Sequence, residues 1–449
     1  MRNLAVIALA IRIGIALATC TFFQPDEYFQ SLEVAHHLVF GYGQLTWEWL
    51  TPKPIRSIVY PALNVPIYWI LKMLNLDGTA ALILFSLTSF FHGLSLSRSI
   101  SNSVETSLTT MALSYFPWDV SLPRWRALVL IALVGLDSLY YGKLTLTPVN
   151  FLLTNASSVS LFYGRSPWHY YLSQALPVLA TTALPWVLHG AYLARGSSAP
   201  APLRVLFGLL VWTISVYSLA GHKEWRFLHP LLPSMHVLAA KSFVDSRGAK
   251  GGSSSGPLLA RRLLITLSVP ALIYVTFFHE RAQVAVMHHL RHLAPETSRS
   301  IGFLMPCHST PWQAYLHRPD LNNDGVLWAL GCEPPLQGQD VTDYQDQTDI
   351  FFASPLEYLE TRFPDRVNAT FPPSFLPRSK PGVDAGGFHP WRHEWPQVLV
   401  FFGALLDDPD VRKLLLALGY EEDWKAEYGW EGDSRRRGGV RVWRYLDHI

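Results

Sequence analysis

Charge is scarce in this chain. Of its 449 residues only 16% are Asp, Glu, Lys or Arg, where an ordinary soluble domain carries roughly 25%. That shortage excludes a disordered, collagen-like or simple cytosolic chain. Cysteine is scarcer still, and three of them are too few for a disulfide scaffold or a zinc cluster. No internal repeat or heptad is found. A massed basic face is missing as well: the Lys and Arg residues of the first part are scattered between apolar spans, which excludes a nucleic-acid partner.

What charge there is divides unevenly. Residues 1–279 hold 19 Lys/Arg and 10 Asp/Glu, whereas residues 280–449 hold 17 and 24. The sequence therefore reads as a polytopic α-helical membrane region, 1–279, followed by a domain of ordinary soluble composition, 280–449.

Nine apolar runs are candidates to cross a hydrocarbon core of roughly 30 Å: Leu4–Phe22, Ile58–Leu76, Ala80–Leu96, Thr106–Leu122, Leu128–Leu139, Leu172–Leu193, Leu203–Leu219, Leu228–Ala240 and Leu263–Phe278. The first reads as a membrane anchor or as a signal peptide, since Arg2 precedes it and Ala16-Leu17-Ala18 resembles a cleavage site. Those starting at Leu128 and Leu228 fall short of the ~17 residues that cross unaided, so re-entrant or protein-packed segments are the alternative there. With Met1 in the cytoplasm, alternation puts the basic loops Pro123–Arg126, Arg195–Arg204 and Lys241–Arg262 on the cytoplasmic side. It puts 24–57, 140–171 and everything after 280 in the lumen, together with both N-glycosylation sequons, at Asn155 and Asn368. There, Cys307 and Cys332 are either a disulfide or two buried thiols. Short apolar runs such as Val398–Leu406 between Pro/Gly-rich turns make the luminal domain an α/β unit.

The few charges near the luminal face are the chemical suspects. Gln24-Pro25-Asp26-Glu27-Tyr28 follows the first span, and Pro25 favours a first helical turn, where a carboxylate benefits from the positive end of the dipole. Adjacent helical residues face different ways, so only one of Asp26 and Glu27 aims at a substrate, or both are the exposed acids of an ordinary first helical turn. Glu33 and His36 stand three apart on the same segment, with His37, Trp47 and Glu48 beyond. They line an acceptor, or they belong to an interfacial helix with aromatic anchors. Spacing supplies no third metal ligand. The second cluster is His222-Lys223-Glu224-Trp225-Arg226, where Lys223 and Arg226 have the chemistry to grip a phosphate with Glu224 bracing one of them. The bland reading is a solvated loop. A polar loop carrying Arg98, Asn102 and Glu105 caps the following helix or joins the site.

Taken in order, the motifs Gln24–Gln30, Ser31–His37, Leu45–Trp49 and His222–Phe227 resemble the dolichyl-phosphate-mannose-dependent mannosyltransferases of glycosyltransferase family 22. Arg98–Glu105, Tyr140–Lys143 and Leu304–Pro311 add to the likeness, which lies nearest the branch acting on the glycosylphosphatidylinositol (GPI) precursor. A stretch that such enzymes carry after the Arg98–Glu105 motif is missing here. The resemblance implies a GT-C type fold in the endoplasmic reticulum membrane, with active site and C-terminal domain luminal. It implies inverting, α1,2-linked transfer of a third mannose from dolichyl-phosphate-mannose, a lipid-linked donor, to a GPI glycolipid acceptor, without metal or cofactor. Asp26 would be the base, oriented or replaced by Glu27, and His222, Lys223 and Arg226, with Glu224, would hold the donor phosphate. Another family-22 transferase, or a non-catalytic membrane scaffold, is the alternative.

Overall fold

The computed structural model describes residues 19–73, 125–248, 266–336, 340–378 and 391–446, with positions 6, 7, 10, 14, 15 and 18. The expected spans Ala80–Leu96 and Thr106–Leu122, and the motif residues Arg98, Asn102 and Glu105, lie outside the described residues.

After a helical segment that becomes α1 (Glu33–Phe40), the apolar part contributes α2 (Trp125–Tyr141), α3 (Leu184–Ala194), α4 (Ala201–Ser218), α5 (Leu232–Gly248) and α6 (Ser268–Phe277). Among the described residues, two helical stretches are long and apolar enough to cross a membrane: Tyr171–Ala194, of which α3 is the last part, and α4. Pro185, in the first turn of α3, has no N–H to give, and the stretch before it breaks through a 3₁₀ turn at Thr181–Ala183. Large apolar side chains face outward, with Trp212 70% and Leu139 81% exposed. Gly190 is where α3 meets α5: a Cβ there would lie 2.2 Å from the Leu238 carbonyl oxygen. The run expected as a span from Leu228 to Ala240 starts differently. Trp225–Leu231 is a 3₁₀ helix containing Pro230, and the α-helix begins only at Leu232, because prolines 230 and 233 withhold two amide donors.

The chain turns at Glu280, whose backbone is left-handed (φ 50°), into α7 (Arg281–Arg291). Beyond it lies a five-stranded sheet, β2-β1-β3-β5-β4, with β1 (Ile301–Leu304), β2 (Leu327–Ala329), β3 (Val398–Phe402), β4 (Tyr420–Ala426) and β5 (Val440–Tyr445). β1 runs parallel to β2 and β3, while β5 is antiparallel to both β3 and β4. The central strand Val-Leu-Val-Phe-Phe is buried throughout, as suits a β-rich apolar run covered on both faces. Its side chains alternate. Leu399 and Phe401 meet Phe351, Tyr358, Val411 and Leu415 on one side. On the other, Val398, Val400 and Phe402 share a core with Val286, Met287 and Leu290 of α7. Phe22, Tyr28, Phe29 and Leu32 belong to that same core. The sheet thus seats the segment that carries Asp26 and Glu27.

Candidate functional site

The helix after the first apolar run opens at Pro25. The amides of Glu27 and Tyr28 donate to the carbonyls of Gln24 and Pro25, at 3.2 and 3.0 Å. Tyr28–Leu32 is a π-helical turn, closed by the Glu33 N–H on the Tyr28 carbonyl, and such single-turn bulges gather at functional sites. Glu27 is buried at its start, whereas Asp26 is half-buried.

Asp26 is where the two expected clusters meet. Arg226 Nη1 donates to Asp26 Oδ2, two hundred residues away along the chain. The same guanidinium pairs with Glu224: Nη2 donates to Oε1 at 2.8 Å, and Nε lies 2.6 Å from Oε2 as an ion-pair contact without hydrogen-bond alignment. His222 completes the chain with Nε2 3.1 Å from Glu224 Oε1 and Nδ1 3.0 Å from the Gly164 carbonyl. A ring nitrogen facing a carbonyl must donate, so both nitrogens are donors when His222 is protonated. Its hydrogen bond to Glu224 raises its pKa. Burial pushes the Glu224 carboxyl up, but hydrogen bonds from His222 and Arg226 outweigh it and hold the group at about 2.

A second guanidinium stands beside the first. Arg56 donates to Glu48 Oε1 from Nε at 3.0 Å and from Nη2 at 2.6 Å, and it lies in the fields of both Asp26 and Arg226. Sequence reasoning missed Arg56. The available signal was its place in the proposed luminal loop, eight residues after Glu48. Trp47 Nε1 donates to the Tyr163 hydroxyl at 3.1 Å, which ties the 24–57 segment to the 140–171 segment. Asp137 does the same from α2: it accepts from Ser57 Oγ, the Ile58 amide and Thr147 Oγ1.

Three expected roles need correction. Lys223, expected on a phosphate, turns inward and donates to the carbonyls of Ser166 and Ala220, because a buried ammonium needs acceptors. Glu33, expected to line the acceptor, is fully buried and accepts the Gln44 amide at 2.9 Å and the Ala314 amide at 2.7 Å. His36 is also fully buried. Its Nδ1 lies 3.1 Å from the Tyr42 carbonyl and its Nε2 3.0 Å from His317 Nδ1. These two residues bolt α1 to the luminal domain. Burial raises Glu33 to about 7 against three backbone hydrogen bonds. Burial, with His317 next, lowers His36 to about 3. His37 is half-buried, and its Nδ1 has no hydrogen-bond partner. Asn155 is half-buried at the end of a helix, with Nδ2 on the Phe151 carbonyl at 2.8 Å. Asn368 is exposed, and its Oδ1 accepts from the Thr370 amide and hydroxyl.

Cys307 and Cys332 are joined as a disulfide. Their sulfurs and a ring nitrogen of His308 all lie within 4.8 Å of one another, but a disulfide leaves no thiolate to coordinate a metal.

Residues 4–82 and 123–317 match the model of a family described as the Alg9-like mannosyltransferase family. The chain is 32% identical to GPI mannosyltransferase 3 of Emericella nidulans over 99% of its own length and 78% of the relative's. To GPI alpha-1,2-mannosyltransferase 3 of Mus musculus it is 31% identical, over 82% and 80%. A GPI mannosyltransferase 3 of Yarrowia lipolytica is 31% identical over 98% and 96%. The alignment with the Emericella protein runs to 537 positions, more than the 449 residues here, so that relative carries segments without a counterpart. No solved structure matches the chain.

Proposed function

This chain belongs to the Alg9-like mannosyltransferase family, and from that premise we propose that it adds the third mannose, in α1,2 linkage, to the GPI-anchor precursor. The names of its relatives support the acceptor and the linkage. The donor in this reading is dolichyl-phosphate-mannose, and the enzyme is a multi-pass protein of the endoplasmic reticulum membrane with its active site in the lumen. The Cys307–Cys332 disulfide supports that placement, since such bonds persist in oxidising compartments.

One observation carries the mechanism: a carboxylate, Asp26, lies against the Arg226–Glu224–His222 chain with Arg56 close by. A β-linked mannosyl phosphate that yields an α-linked product reacts by one in-line displacement with inversion. The step needs a base for the acceptor hydroxyl and positive charge for the departing phosphate. Asp26 is the base acting on the 2-hydroxyl of the second mannose, and its proton comes from that hydroxyl as the C1–O bond forms. Arg226 receives the phosphate as the old C1–O bond breaks, with Arg56 and protonated His222 adding charge. The dolichyl phosphate leaves as an anion, so it needs neither a protonating acid nor a divalent ion. Arrival of the donor exchanges the Asp26–Arg226 contact for a phosphate–Arg226 contact and releases the carboxylate. Glu224 keeps the guanidinium plane in place throughout.

The experiment uses purified protein, dolichyl-phosphate-mannose and two acceptors, a two-mannose GPI precursor and a lipid-linked N-glycan precursor. Transfer to the first alone, removable by an α1,2-mannosidase, is expected; transfer to the second alone refutes the reading. Asp26→Asn should lower turnover by roughly 10²–10⁴-fold, and near-normal turnover in a folded variant removes Asp26 as the base. EDTA should leave the rate unchanged.

A further inference from the structure

The luminal domain meets the last apolar helix through the connection between β4 and β5. Tyr274, in the last turn of α6, donates from its hydroxyl to the Trp430 carbonyl at 2.7 Å and accepts the Trp430 amide at 3.0 Å. Gly429 lets the loop come that close. Its φ is +121°, and a Cβ there would lie 3.2 Å from the Tyr274 hydroxyl oxygen and 3.6 Å from Phe278 Cβ. Three more contacts fasten the loop to the corner between α6 and α7. The Arg281 guanidinium sits 4.7 Å over the Tyr428 ring, Gln283 Nε2 donates to Glu431 Oε1 at 3.4 Å, and Arg436 Nη1 donates to Glu280 Oε1 at 2.5 Å.

The fastening uses the Trp430 backbone and leaves the residue 76% exposed. A single exposed apolar side chain is ordinary on a soluble domain. This one adjoins an apolar face, since Val269, Leu272, Ile273, Phe277 and Phe278, in α6 and at its end, are exposed as well. The polar residues His279, Glu280 and Arg281 follow at once, so the last turn of α6 marks the depth at which hydrocarbon gives way to headgroups. Tyr274 lies four residues before Phe278, about 6 Å along the axis. Trp and Tyr favour that layer, because the ring is apolar and its N–H or O–H stays polar. Charge does not hold the loop there: residues 427–437 set Glu427, Glu431 and Asp433 against Arg435, Arg436 and Arg437.

We propose that the β4–β5 loop is the membrane anchor of the luminal domain, with Trp430 seated in the headgroup layer of the luminal leaflet beside the end of α6. The inference rests on the multi-pass reading given above, in which α6 crosses the membrane. α6 is also tied to the reacting segment: Thr21 Oγ1, five residues before Asp26, donates to the Val275 carbonyl at 2.7 Å. A loop held in the leaflet therefore fixes the height of the sheet, and of the Asp26 segment seated on it, over the bilayer that carries both lipid-linked substrates. A soluble partner protein fits less well, because the apolar residues beside Trp430 belong to a helix of spanning composition.

The test places a nitroxide spin label at residue 430 (Trp430→Cys) in the full chain, reconstituted into phosphatidylcholine nanodiscs, with Cys20→Ser removing the free thiol. Val269→Cys on α6 and Glu360→Cys, exposed on the face of the sheet away from α7, supply the reference positions. Power saturation reads collisions with oxygen, which concentrates in hydrocarbon, and with a water-soluble nickel chelate. The oxygen-to-nickel ratio at 430 should exceed that at 360 several-fold and fall below that at 269, the order expected of an interfacial ring. A ratio equal to that at 360 overturns the anchor. So does shielding from both reagents, which a protein partner would give. A label at 269 that reads as aqueous refutes the multi-pass reading and the anchor with it, whereas a hydrocarbon value at 269 beside an aqueous one at 430 refutes the anchor alone.

Discussion

Glu33 and His36 sit one helical turn apart and titrate in opposite senses, so each masks the pH dependence that the other gives the α1–luminal contact. Glu33 holds its proton up to about 7 when folded, against the ordinary 4.5. Between those values the folded protein binds more protons than the unfolded chain, so stability falls as pH rises. The span corresponds to about 3 kcal/mol. His36 is held down to about 3 from 6.5, so the unfolded chain binds more protons there and stability falls as pH drops below 6.5. From 6.5 to 4.5 that loss is again about 3 kcal/mol, and the two slopes nearly cancel. Glu33→Gln removes one slope and exposes the other. The Gln side chain also sets an NH₂ group against one of the two amides that Glu33 accepts, at a cost of roughly 1–3 kcal/mol. That cost is independent of pH, so the readout is the slope of the difference. Thermal unfolding of wild type and variant in the same detergent, followed by tryptophan fluorescence from pH 4.5 to 7.5, should show the gap in Tm changing by on the order of 10 °C across the range. The variant loses most at low pH. A gap that stays flat from 4.5 to 7.5 refutes the assignment of a protonated, buried Glu33.

Arg226→Lys should raise KM for dolichyl-phosphate-mannose about tenfold or more and slow turnover, because an ammonium cannot span Glu224 and Asp26 with a planar fork; unchanged donor kinetics would remove Arg226 from the phosphate site. Breaking the Cys307–Cys332 disulfide by a double Ala substitution should destabilise the luminal domain by about 3 kcal/mol, from the 25-residue separation it closes, and dithiothreitol should lower the wild-type Tm in parallel while leaving that of the variant unmoved. Of the two sequons, Asn368 should carry glycan and Asn155 should not, since the first is exposed with its Thr370 hydroxyl already on Oδ1 and the second is held in a helix. Expression of Asn368→Gln in a glycosylating host should abolish the glycosidase-sensitive mobility shift, and a shift that survives refutes this.

The parts of the site that were legible in the sequence are those written as contiguous strings. Asp26 and Glu27 follow an apolar run directly, and His222, Glu224 and Arg226 sit within five residues, so charge in an apolar setting was enough to mark both. Their union was not legible, because the Arg226–Asp26 contact spans two hundred residues and depends on how the luminal segments are held. Arg56 belongs to no string at all and owes its role to Glu48 and to the loop that packs on Asp137. The face shared by Glu33 and His36 was visible from their spacing, but not what it meets: Ala314 and His317 lie 281 residues further on. In the luminal domain β3 stood out as an apolar run, whereas β1 and β2, at four and three residues, are too short to carry a period.

The π turn at Tyr28–Leu32 shows why such a site resists reading along the chain. Asp26 and Glu33 are seven residues apart, and seven residues of α-helix make almost two full turns, which would set both carboxylates on one face. One of them must meet Arg226, and the other must meet the amides of Gln44 and Ala314. Widening the helix over five residues, with Glu33 donating to Tyr28 instead of Phe29, offsets the two faces by roughly a quarter turn. Asp26 is thereby free to face the ion cluster while Glu33 fastens the same helix to the sheet domain. The two acids divide between chemistry and anchoring through a backbone irregularity that no pattern of residue types encodes.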